Sequence, residues 1–264
     1  MNDTISRPPI VLAHGLFGFS TVGYGRLVLS SYFRGIPGWL RAAGYRVLVP
    51  RVHPTAGIRR RGRRLGDRIE AAFPGEPVHI IGHSMGGLDA RALMAEPGWA
   101  NRILSLTTIA TPHLGSPLAD FAKLRMGRVY RLLESLGIDY RGFLDITRPE
   151  ARAFNKAMPR QLDIPCYSIA GDPAPSDVCW PLRRVFEVMS ELEGPNDGLV
   201  SVESSEAFGT PLPAWPFDHL RQMNWMTPQP ADPTGSEIAR RYLGLVESLV
   251  ACEPAGAFEL AEAS

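Results

Sequence analysis

Cysteines, long apolar runs and an excess of either charge are all scarce in this sequence. Its 264 residues include three cysteines, Cys166, Cys179 and Cys252, whose wide spacing is not that of a zinc or redox motif, so we expect no obligatory disulfide. No stretch reaches the roughly 20 apolar residues that span a bilayer, and residues 1–8 lack the apolar region of a signal peptide. We therefore expect a cytoplasmic protein, or a secreted one if the N-terminus has been trimmed.

The charges of the chain nearly cancel, because 28 basic residues oppose 27 acidic ones and leave a net charge of +1. Such a balance gives no overall field that would draw the protein to nucleic acid or to an anionic membrane. The densest basic run could be a phosphate-binding patch, but it begins where a helix is predicted, and we interpret it as a solvent-exposed helix face. The run consists of Arg59, Arg60, Arg61, Arg63 and Arg64.

Short apolar runs alternate with helical patterns, which predicts an α/β fold with a mostly parallel central sheet and helices on both faces. With 45% hydrophobic and 21% charged residues, the chain is expected to form a single domain, residues 1–264. Helices are predicted over Ile36 to Ala43, ending at Gly44, and over about Ile58 to Phe73. Five runs are predicted to be buried parallel strands: Ile10 to Ala13, Val47 to Val49, Val78 to Ile81, Ile103 to Ile109 and Cys166 to Ala170.

Three later segments depart from this alternation. The region from about 117 to 159 carries amphipathic helical patterns, including Val129 and Leu132, and no clear strand, so we predict an inserted helical cap or lid. Residues 173–198 are rich in proline and glycine, which predicts a long ordered loop. The small, acidic tail from 254 to 264 is expected to fray.

The most informative motif is Gly82-His83-Ser84-Met85-Gly86, which lies between the predicted strand 78–81 and a helical pattern from Leu88 to Ala95. In this context the serine occupies a turn so tight that glycine is needed two residues before and after it, and its hydroxyl projects from the end of the strand. We predict that Ser84 is a catalytic nucleophile. The alternative is an ordinary serine in a glycine-rich turn between a strand and a helix.

A second segment, Ala13 to Gly18, follows the first predicted strand and contains two glycines. Acyl transfer needs two donors for the negative charge that develops on the carbonyl oxygen. We predict that the backbone amides of Leu16 and Met85 are these donors. His14 is interpreted as a residue that fixes the loop rather than as a catalytic group.

The acid and the base that assist a serine nucleophile are expected after it in the chain, in loops near the ends of later strands. Asp197 lies in a glycine-containing turn before an apolar pair, and His219 lies in a loop 22 residues later. We predict that His219 deprotonates Ser84 and later protonates the leaving group, while Asp197 orients the imidazole. His113, which also follows a predicted strand, is the weaker alternative for the base.

Eight short motifs occur in one order along the chain: Pro9 to Gly15, Tyr32 to Pro37, Arg61-Gly62, Gly82 to Gly86, Thr111 to Ser116, Ala153 to Asn155, Asn196 to Val200 and Asp218 to Leu220. Together they resemble the true lipases of bacteria, the group typified by the triacylglycerol lipases of Pseudomonas and Burkholderia. The resemblance implies the α/β-hydrolase fold, with Ser84, Asp197 and His219 as the catalytic triad and Leu16 and Met85 as oxyanion donors. It also implies a helical lid over an acyl-chain groove.

The chain departs from this family at a cation site. Family members bind a structural calcium ion through two aspartates, one of them two residues after the catalytic histidine, and here that position is Arg221. Because a guanidinium pairs with carboxylates and cannot ligate a cation, we expect no cofactor and hypothesise that Arg221 pairs with Asp172 or Asp177. The signal peptide and disulfide of secreted members are not evident, and the lid region is short for the family.

The resemblance implies hydrolysis of a carboxylic ester through an acyl-enzyme. Leu16, Phe17, Phe19 and Met85 would make the surroundings of the site apolar, which suits acylglycerols or other apolar acyl esters. The same triad would serve a thioesterase, a phospholipase or an acyltransferase, and a non-catalytic binding scaffold is a further alternative. The expected partner is a small-molecule or lipid ester, with at most transient contact with a lipid surface, no nucleic acid and a monomeric state.

Overall fold

The computed structural model of the protein describes residues 7–16, 22–24, 27–30, 32–125, 127, 135, 137, 139–160, 163–227 and 236–251. Within these residues the strands are, in chain order, β1 (Ile10–Ala13), β2 (Val22–Tyr24), β3 (Leu27–Ser30), β4 (Val47–Leu48), β5 (Val78–His83), β6 (Ile103–Ile109), β7 (Cys166–Ile169) and β8 (Thr210–Pro211). The five predicted strands are confirmed as β1, β4, β5, β6 and β7. The strands β2, β3 and β8 were not predicted, and β8 includes a proline, which ordinarily argues against a strand.

Six of the described strands form one sheet in the order β4-β1-β5-β6-β7-β8, and each pairing in it is parallel. The strands β2 and β3 form a separate antiparallel pair. Because parallel strands all run in one direction, the loops that leave β1, β5, β6 and β7 emerge at the same edge of the sheet. That edge is where an open α/β sheet places its functional groups.

The described helices are α1 (Ile36–Ala42), α2 (Ile58–Ala72), α3 (Met85–Met94), α4 (Pro117–Arg125), α5 (Arg141–Asp145), α6 (Arg148–Ala157), α7 (Arg183–Glu193), α8 (Val202–Glu206) and α9 (Glu237–Ala251). The two helices predicted before the serine motif are confirmed as α1 and α2. Gly44 follows α1 with a φ of 87°, the left-handed conformation that commonly ends a helix.

Residues 173–198, predicted to be a long ordered loop, contain the helix α7 instead. The prolines and glycines of this segment cluster at its two ends, and Arg183–Glu193 contains neither. The helix buries Met189, and Phe186 packs against a small apolar cluster that includes Leu182. The prediction was wrong because it used the average composition of the segment, whereas the central residues, which contain no proline or glycine, form a helix.

The segment predicted as a cap contains α4, α5 and α6 in its described residues, while Val129 and Leu132 lie outside them. The tail from 254 to 264 also lies outside the described residues. Within the described part of the chain, no helix is both long and apolar enough to cross a bilayer.

Side chains of the strands alternate between two apolar layers, because successive residues of a strand point to opposite faces of the sheet. In β1, Ile10 and Leu12 face the layer that contains α1 and α9, whereas Val11 and Ala13 face the layer that contains α2 and α3. The helices contribute Leu40, Tyr242 and Val246 to the first layer and Leu65, Ile69 and Leu93 to the second. Helices therefore cover both faces of the sheet, and the predicted α/β architecture is confirmed.

Candidate active site

Ser84 lies in a sharp turn between β5, which ends at His83, and α3, which begins at Met85. Its φ of 55° and ψ of −133° lie in a region that side-chain-bearing residues rarely adopt. The Ser84 amide donates to the carbonyl of Ile109 at 2.9 Å, and the Thr111 hydroxyl donates to the Ser84 carbonyl at 2.8 Å. Contacts with β6 and the loop that follows it therefore hold the strained turn at the carboxyl edge of the sheet.

Glycines on both sides of Ser84 allow the turn to form. A side-chain carbon on Gly82 would lie 2.6 Å from the Cα of Gly87, and one on Gly86 would collide with the carbonyl oxygen of Ala13 in β1. Either contact would push α3 away from the sheet. Glycine is therefore required at both positions, because α3 lies so close to the end of β5 at Gly82 and to β1 at Gly86.

The loop after β1 comes close to Ser84. A side-chain carbon on Gly15 would lie 2.8 Å from the Ser84 Cβ and 3.1 Å from its Oγ. Leu16 follows Gly15 directly, and Met85 is the first residue of α3, where an amide has no acceptor within the helix. The two predicted oxyanion donors thus belong to the segments that border Ser84.

The predicted acid and base lie together in the structure. The Asp197 Oδ2 is 2.7 Å from the Nδ1 of His219, and both side chains are buried. The other carboxylate oxygen accepts the amides of Leu199 at 3.0 Å and Val200 at 2.8 Å, in a turn where Gly198 has a φ of 97°. Because an ionised carboxylate can only accept hydrogen bonds, the His219 Nδ1 carries the hydrogen, and Nε2 is the proton acceptor.

A contact between two histidine rings places this pair next to Ser84. The ring centroids of His83 and His219 are 4.6 Å apart, with planes inclined at 53°. Because His83 immediately precedes Ser84, the contact places the His219 imidazole at the end of β5 from which Ser84 projects. The fold thus brings three predicted residues that are distant in the chain to one edge of the sheet, while their catalytic roles stay predictions.

His113, the alternative base, is engaged elsewhere. Its Nδ1 lies 3.1 Å from the Arg91 guanidinium, and its Nε2 lies 3.1 Å from the Thr108 hydroxyl. Burial, with the charge of Arg91 as a further cause, holds the pKa of His113 well below its usual value. The geometry therefore favours His219 over His113 as the base.

His14 connects two loops, in line with its interpretation as a loop-fixing residue. The Val52 amide donates to its Nε2 at 3.4 Å, and its Nδ1 lies 3.0 Å from the carbonyl of Gly15. Burial, followed by the charge of Arg61, lowers the pKa of His14 to about 4. A neutral ring that accepts through Nε2 and donates through Nδ1 satisfies both contacts.

Arg61, predicted to lie on an exposed helix face, is fully buried. Its Nη2 lies 2.7 Å from the Asp89 Oδ2 and also donates to the His14 carbonyl at 2.7 Å, while its Nη1 donates to the His53 carbonyl at 2.6 Å. The prediction was therefore wrong for this residue, although the rest of the run is exposed. The exposed members are Arg59, Arg60, Arg63 and Arg64.

Helical periodicity explains why one arginine of the run points inward. Arg61 shares the buried face of α2 with Ile58 and Leu65, which are three and four residues away. Burial raises the pKa of Asp89, and the adjacent guanidinium opposes the rise. We call Arg61 and Asp89 the ionic anchor, because the pair holds the loop that leads into Leu16.

Among the described residues, Arg221 pairs with Asp218, at 3.6 Å between Nε and Oδ2, and the predicted pairing with Asp172 or Asp177 was wrong. Asp218 is only three residues before Arg221 in the chain, so the arginine side chain pairs with this local carboxylate. Its carboxylate also accepts the Cys179 amide at 2.8 Å. A guanidinium cannot ligate a cation, so Arg221 does not fit the ligand position of the calcium site that the resemblance implies.

The sequence analysis did not predict two buried polar residues that lie near the site, Gln222 and Asp89. Gln222, on the turn Arg221–Met223, donates from its side-chain amide to the Asp197 Oδ2 at 3.1 Å. Asp89 in α3 neutralises Arg61. The position of Gln222 three residues after His219 is the only signal in the sequence, and it does not reveal which group the side chain reaches.

Known proteins resemble the chain in sequence. The family described as the PGAP1-like alpha/beta domain matches residues 68–136, which include the Ser84 turn. Triacylglycerol lipase 2 of Saccharomyces cerevisiae is 32% identical over 216 residues, covering 76% of this chain and 65% of the yeast protein. A triacylglycerol lipase of Pseudomonas fragi is 28% identical over 276 residues, covering 86% of this chain and 91% of that protein. The chain thus spans slightly less than two thirds of the yeast relative.

The fold is shared with solved structures. The crystal structure of Staphylococcus hyicus lipase matches with a TM-score of 0.73 at 20% identity, covering 95% of this chain and 97% of that one. The chain therefore has the fold of this lipase, which confirms the predicted fold, and its sequence is similar to that of a bacterial triacylglycerol lipase, as the resemblance implied. Because one fold can carry many reactions, the activity has to be argued from the site.

Proposed function

We propose that the chain is a carboxylic-ester hydrolase, a lipase or esterase that acts on acylglycerols or other apolar acyl esters through an acyl-enzyme. The observation that carries the proposal is the strained Ser84 turn beside the buried pair of His219 and Asp197. Backbone strain of this kind persists where the surrounding structure imposes it, and it is typical of nucleophile turns. The names of the lipase relatives support the same activity.

In the proposed reaction the Ser84 Oγ attacks the ester carbonyl carbon while the His219 Nε2 takes the hydroxyl proton. The hydrogen bond from Nδ1 to Asp197 keeps the imidazole in the required tautomer and stabilises the positive charge that it gains. Collapse of the intermediate expels the alcohol, which receives the proton from His219, and leaves the acyl group on Ser84. Water then attacks with His219 again as base, which releases the carboxylic acid and restores Ser84.

The negative charge on the carbonyl oxygen is proposed to be received by the amides of Leu16 and Met85. Met85 offers the N-terminal end of α3, where the helix dipole also favours negative charge. Leu16 lies in the loop that the ionic anchor and His14 hold. Donors that are already fixed in place stabilise the transition state most, because they need no reorganisation during the reaction.

Apolar surroundings support an acyl substrate. Met85 and Leu16 pack in one cluster with Phe154 of α6, which places apolar side chains beside the Ser84 turn. Phe17 and Phe19, predicted to add to these surroundings, lie outside the described residues. We therefore favour an apolar acid portion for the ester over a charged one.

Transient contact with a lipid surface is part of the proposal. Phe121 and Leu124 of α4 are exposed by 57% and 84%, and large apolar side chains at such exposure suit intermittent contact with lipid. We propose that the chemistry uses no cofactor. The monomeric state, the lack of a nucleic-acid partner and the cytoplasmic location stay predictions.

The test compares the wild type with Ser84→Ala and with Ser248→Ala, which changes an exposed serine on α9. On p-nitrophenyl esters and triglycerides of increasing chain length, Ser84→Ala is expected to lose about three orders of magnitude of kcat or more, and Ser248→Ala none. A fluorophosphonate probe should label the wild type and Ser248→Ala but not Ser84→Ala. The optimum chain length then distinguishes an esterase from a lipase.

A folded wild type that the probe does not label, in conditions where a known serine hydrolase reacts, would contradict the proposal and support a non-catalytic scaffold. A thioesterase, a phospholipase or an acyltransferase would use the same three residues. Acyl thioesters, phospholipids and acceptor alcohols, offered to the same three proteins, separate these activities from ester hydrolysis.

A further inference from the structure

The side chain of Gln222 is fully buried between the predicted acid and the histidine that precedes Ser84. Its Nε2 donates to the Asp197 Oδ2 at 3.1 Å and to the Phe217 carbonyl at 3.1 Å. Its Oε1 lies 2.9 Å from the Nε2 of His83. One amide group therefore contacts both the acid of the triad and the end of β5.

Counting donors and acceptors fixes the direction of these bonds. An ionised carboxylate only accepts, so the Gln222 amide nitrogen faces Asp197 and its oxygen faces His83. The His83 Nε2 must then carry the hydrogen, and its Nδ1 accepts from the Tyr32 hydroxyl at 2.8 Å. Burial holds the pKa of His83 well below its usual value, which agrees with a neutral ring that has one donor and one acceptor.

Tyr32 lies beside the loop near the nucleophile, because a side-chain carbon on Gly15 would lie 2.7 Å from the Tyr32 hydroxyl oxygen. Tyr32 is itself buried. A continuous series of hydrogen bonds, which we call the polar chain, thus joins Tyr32, His83, Gln222 and Asp197, and each internal member both accepts and donates.

We propose that Gln222 is a positioning residue that aligns the Asp197 carboxylate with His219 and links that alignment, through His83, to Tyr32 beside the loop after β1. The inference rests on the proposed hydrolase function. Gln222 does not touch the reacting atoms. It acts on the carboxylate oxygen that the His219 Nδ1 also contacts, so its loss lets Asp197 rotate away from the geometry that stabilises the charged imidazole.

Two substitutions at this position separate positioning from packing. Gln222→Met keeps the length of the side chain and removes its hydrogen bonds. Gln222→Glu keeps an acceptor for His83 but donates to Asp197 only when its carboxyl is protonated. The matched control is Ser105→Ala, which removes a buried hydrogen bond to His79 within the sheet and leaves the polar chain intact.

We expect Gln222→Met to lower kcat by about tenfold or more with little change in KM, since hydrogen bonds to charged groups carry energies of that order. The downfield proton resonance of the His219 Nδ1–H should shift, and the acidic limb of the kcat profile should move to lower pH. In Gln222→Glu the loss of kcat should grow as pH rises and the new carboxyl ionises. Ser105→Ala should change neither kcat nor the resonance.

The outcomes distinguish this inference from the proposed function. If Ser84→Ala abolishes hydrolysis while both Gln222 variants keep the wild-type kcat profile and resonance, the inference is overturned and the function stands. If the wild type is unreactive but Gln222→Met still shifts the His219 resonance, the hydrolase proposal fails and the alignment of Asp197 by Gln222 is supported. If Gln222→Met does not fold, the pH dependence of Gln222→Glu alone decides between the two results.

Discussion

The loop after β1 and the loop that carries His219 both meet at Ser84, and buried polar groups of different kinds fix them. The first is held by the ionic anchor, in which a fully buried guanidinium faces a fully buried carboxylate. The second is held by the polar chain, whose internal links are neutral groups. Both loops must be fixed because each is proposed to supply groups to one reaction centre.

The two devices should fail in different ways. Removal of one partner from a buried ion pair leaves an uncompensated charge and costs about 3–5 kcal/mol of stability. Removal of a neutral buried hydrogen-bonding group costs less, about 1–3 kcal/mol. Loss of the ionic anchor should therefore lower mainly the free energy of unfolding, whereas loss of the polar chain should lower mainly kcat.

The largest effect on stability is expected from Arg61→Met, which leaves Asp89 buried without its partner. We expect a loss of about 3–5 kcal/mol in the free energy of unfolding at pH 8, measured with urea. The loss should shrink as pH falls, because burial already raises the pKa of Asp89 and the carboxyl can take up a proton.

Arg63→Met is the matched control on the same helix, since the side chain of Arg63 is 69% exposed and its ion pair with Glu96 lies at the surface. Its effect should stay within about 0.5 kcal/mol. Equal losses in Arg61→Met and Arg63→Met would remove the contrast between the ionic anchor and an ordinary surface arginine.

A second prediction concerns acid. Burial lowers the pKa of His14 and of His79 to about 4 from an unfolded value of 6.5. Between pH 6.5 and 4 these histidines are protonated in the unfolded chain but stay neutral in the folded chain. Their contribution to stability is therefore fully present above pH 6.5 and is lost as pH falls. Each histidine should lower the free energy of unfolding by about 2 kcal/mol at pH 5, relative to its value above pH 6.5. His83, in the polar chain, acts in the same direction.

Urea titrations from pH 7.5 to 5 check this prediction, with His79→Gln as the informative variant. Its stability should fall less steeply with acid than that of the wild type, because one of the buried neutral histidines is missing. An identical slope in the two proteins would mean that burial of His79 does not exclude the proton.

The smallest effect is expected at Arg221, whose side chain is 31% exposed. Asp218 keeps the backbone amides that donate to it, so Arg221→Ala should cost about 1 kcal/mol or less. Activity should also be unchanged by a chelator, since a guanidinium stands at the ligand position. Activity that collapses with chelator and returns with calcium would contradict this.

Much of the fold could be predicted because its signals are local. Each pattern is complete within a short stretch of sequence, as in the apolar runs that form β1, β5 and β6 and the helical spacing of α1 and α2. The helix α7 was missed because proline and glycine at its ends dominated the composition of the segment. The strand β8 gives no local signal, because its pairing with β7 depends on how the chain returns to the sheet.

The sequence by itself determined the serine turn and the order of its proposed partners, because glycine spacing and chain order depend only on neighbouring residues. Only the tertiary structure decided that Arg61 is buried against Asp89, that Arg221 pairs with Asp218, and that Gln222 joins Asp197 to His83. The side chains of arginine and glutamine are long, and each can reach several partners. Which partner it meets is fixed by the packing of helices and loops that lie far apart in the chain.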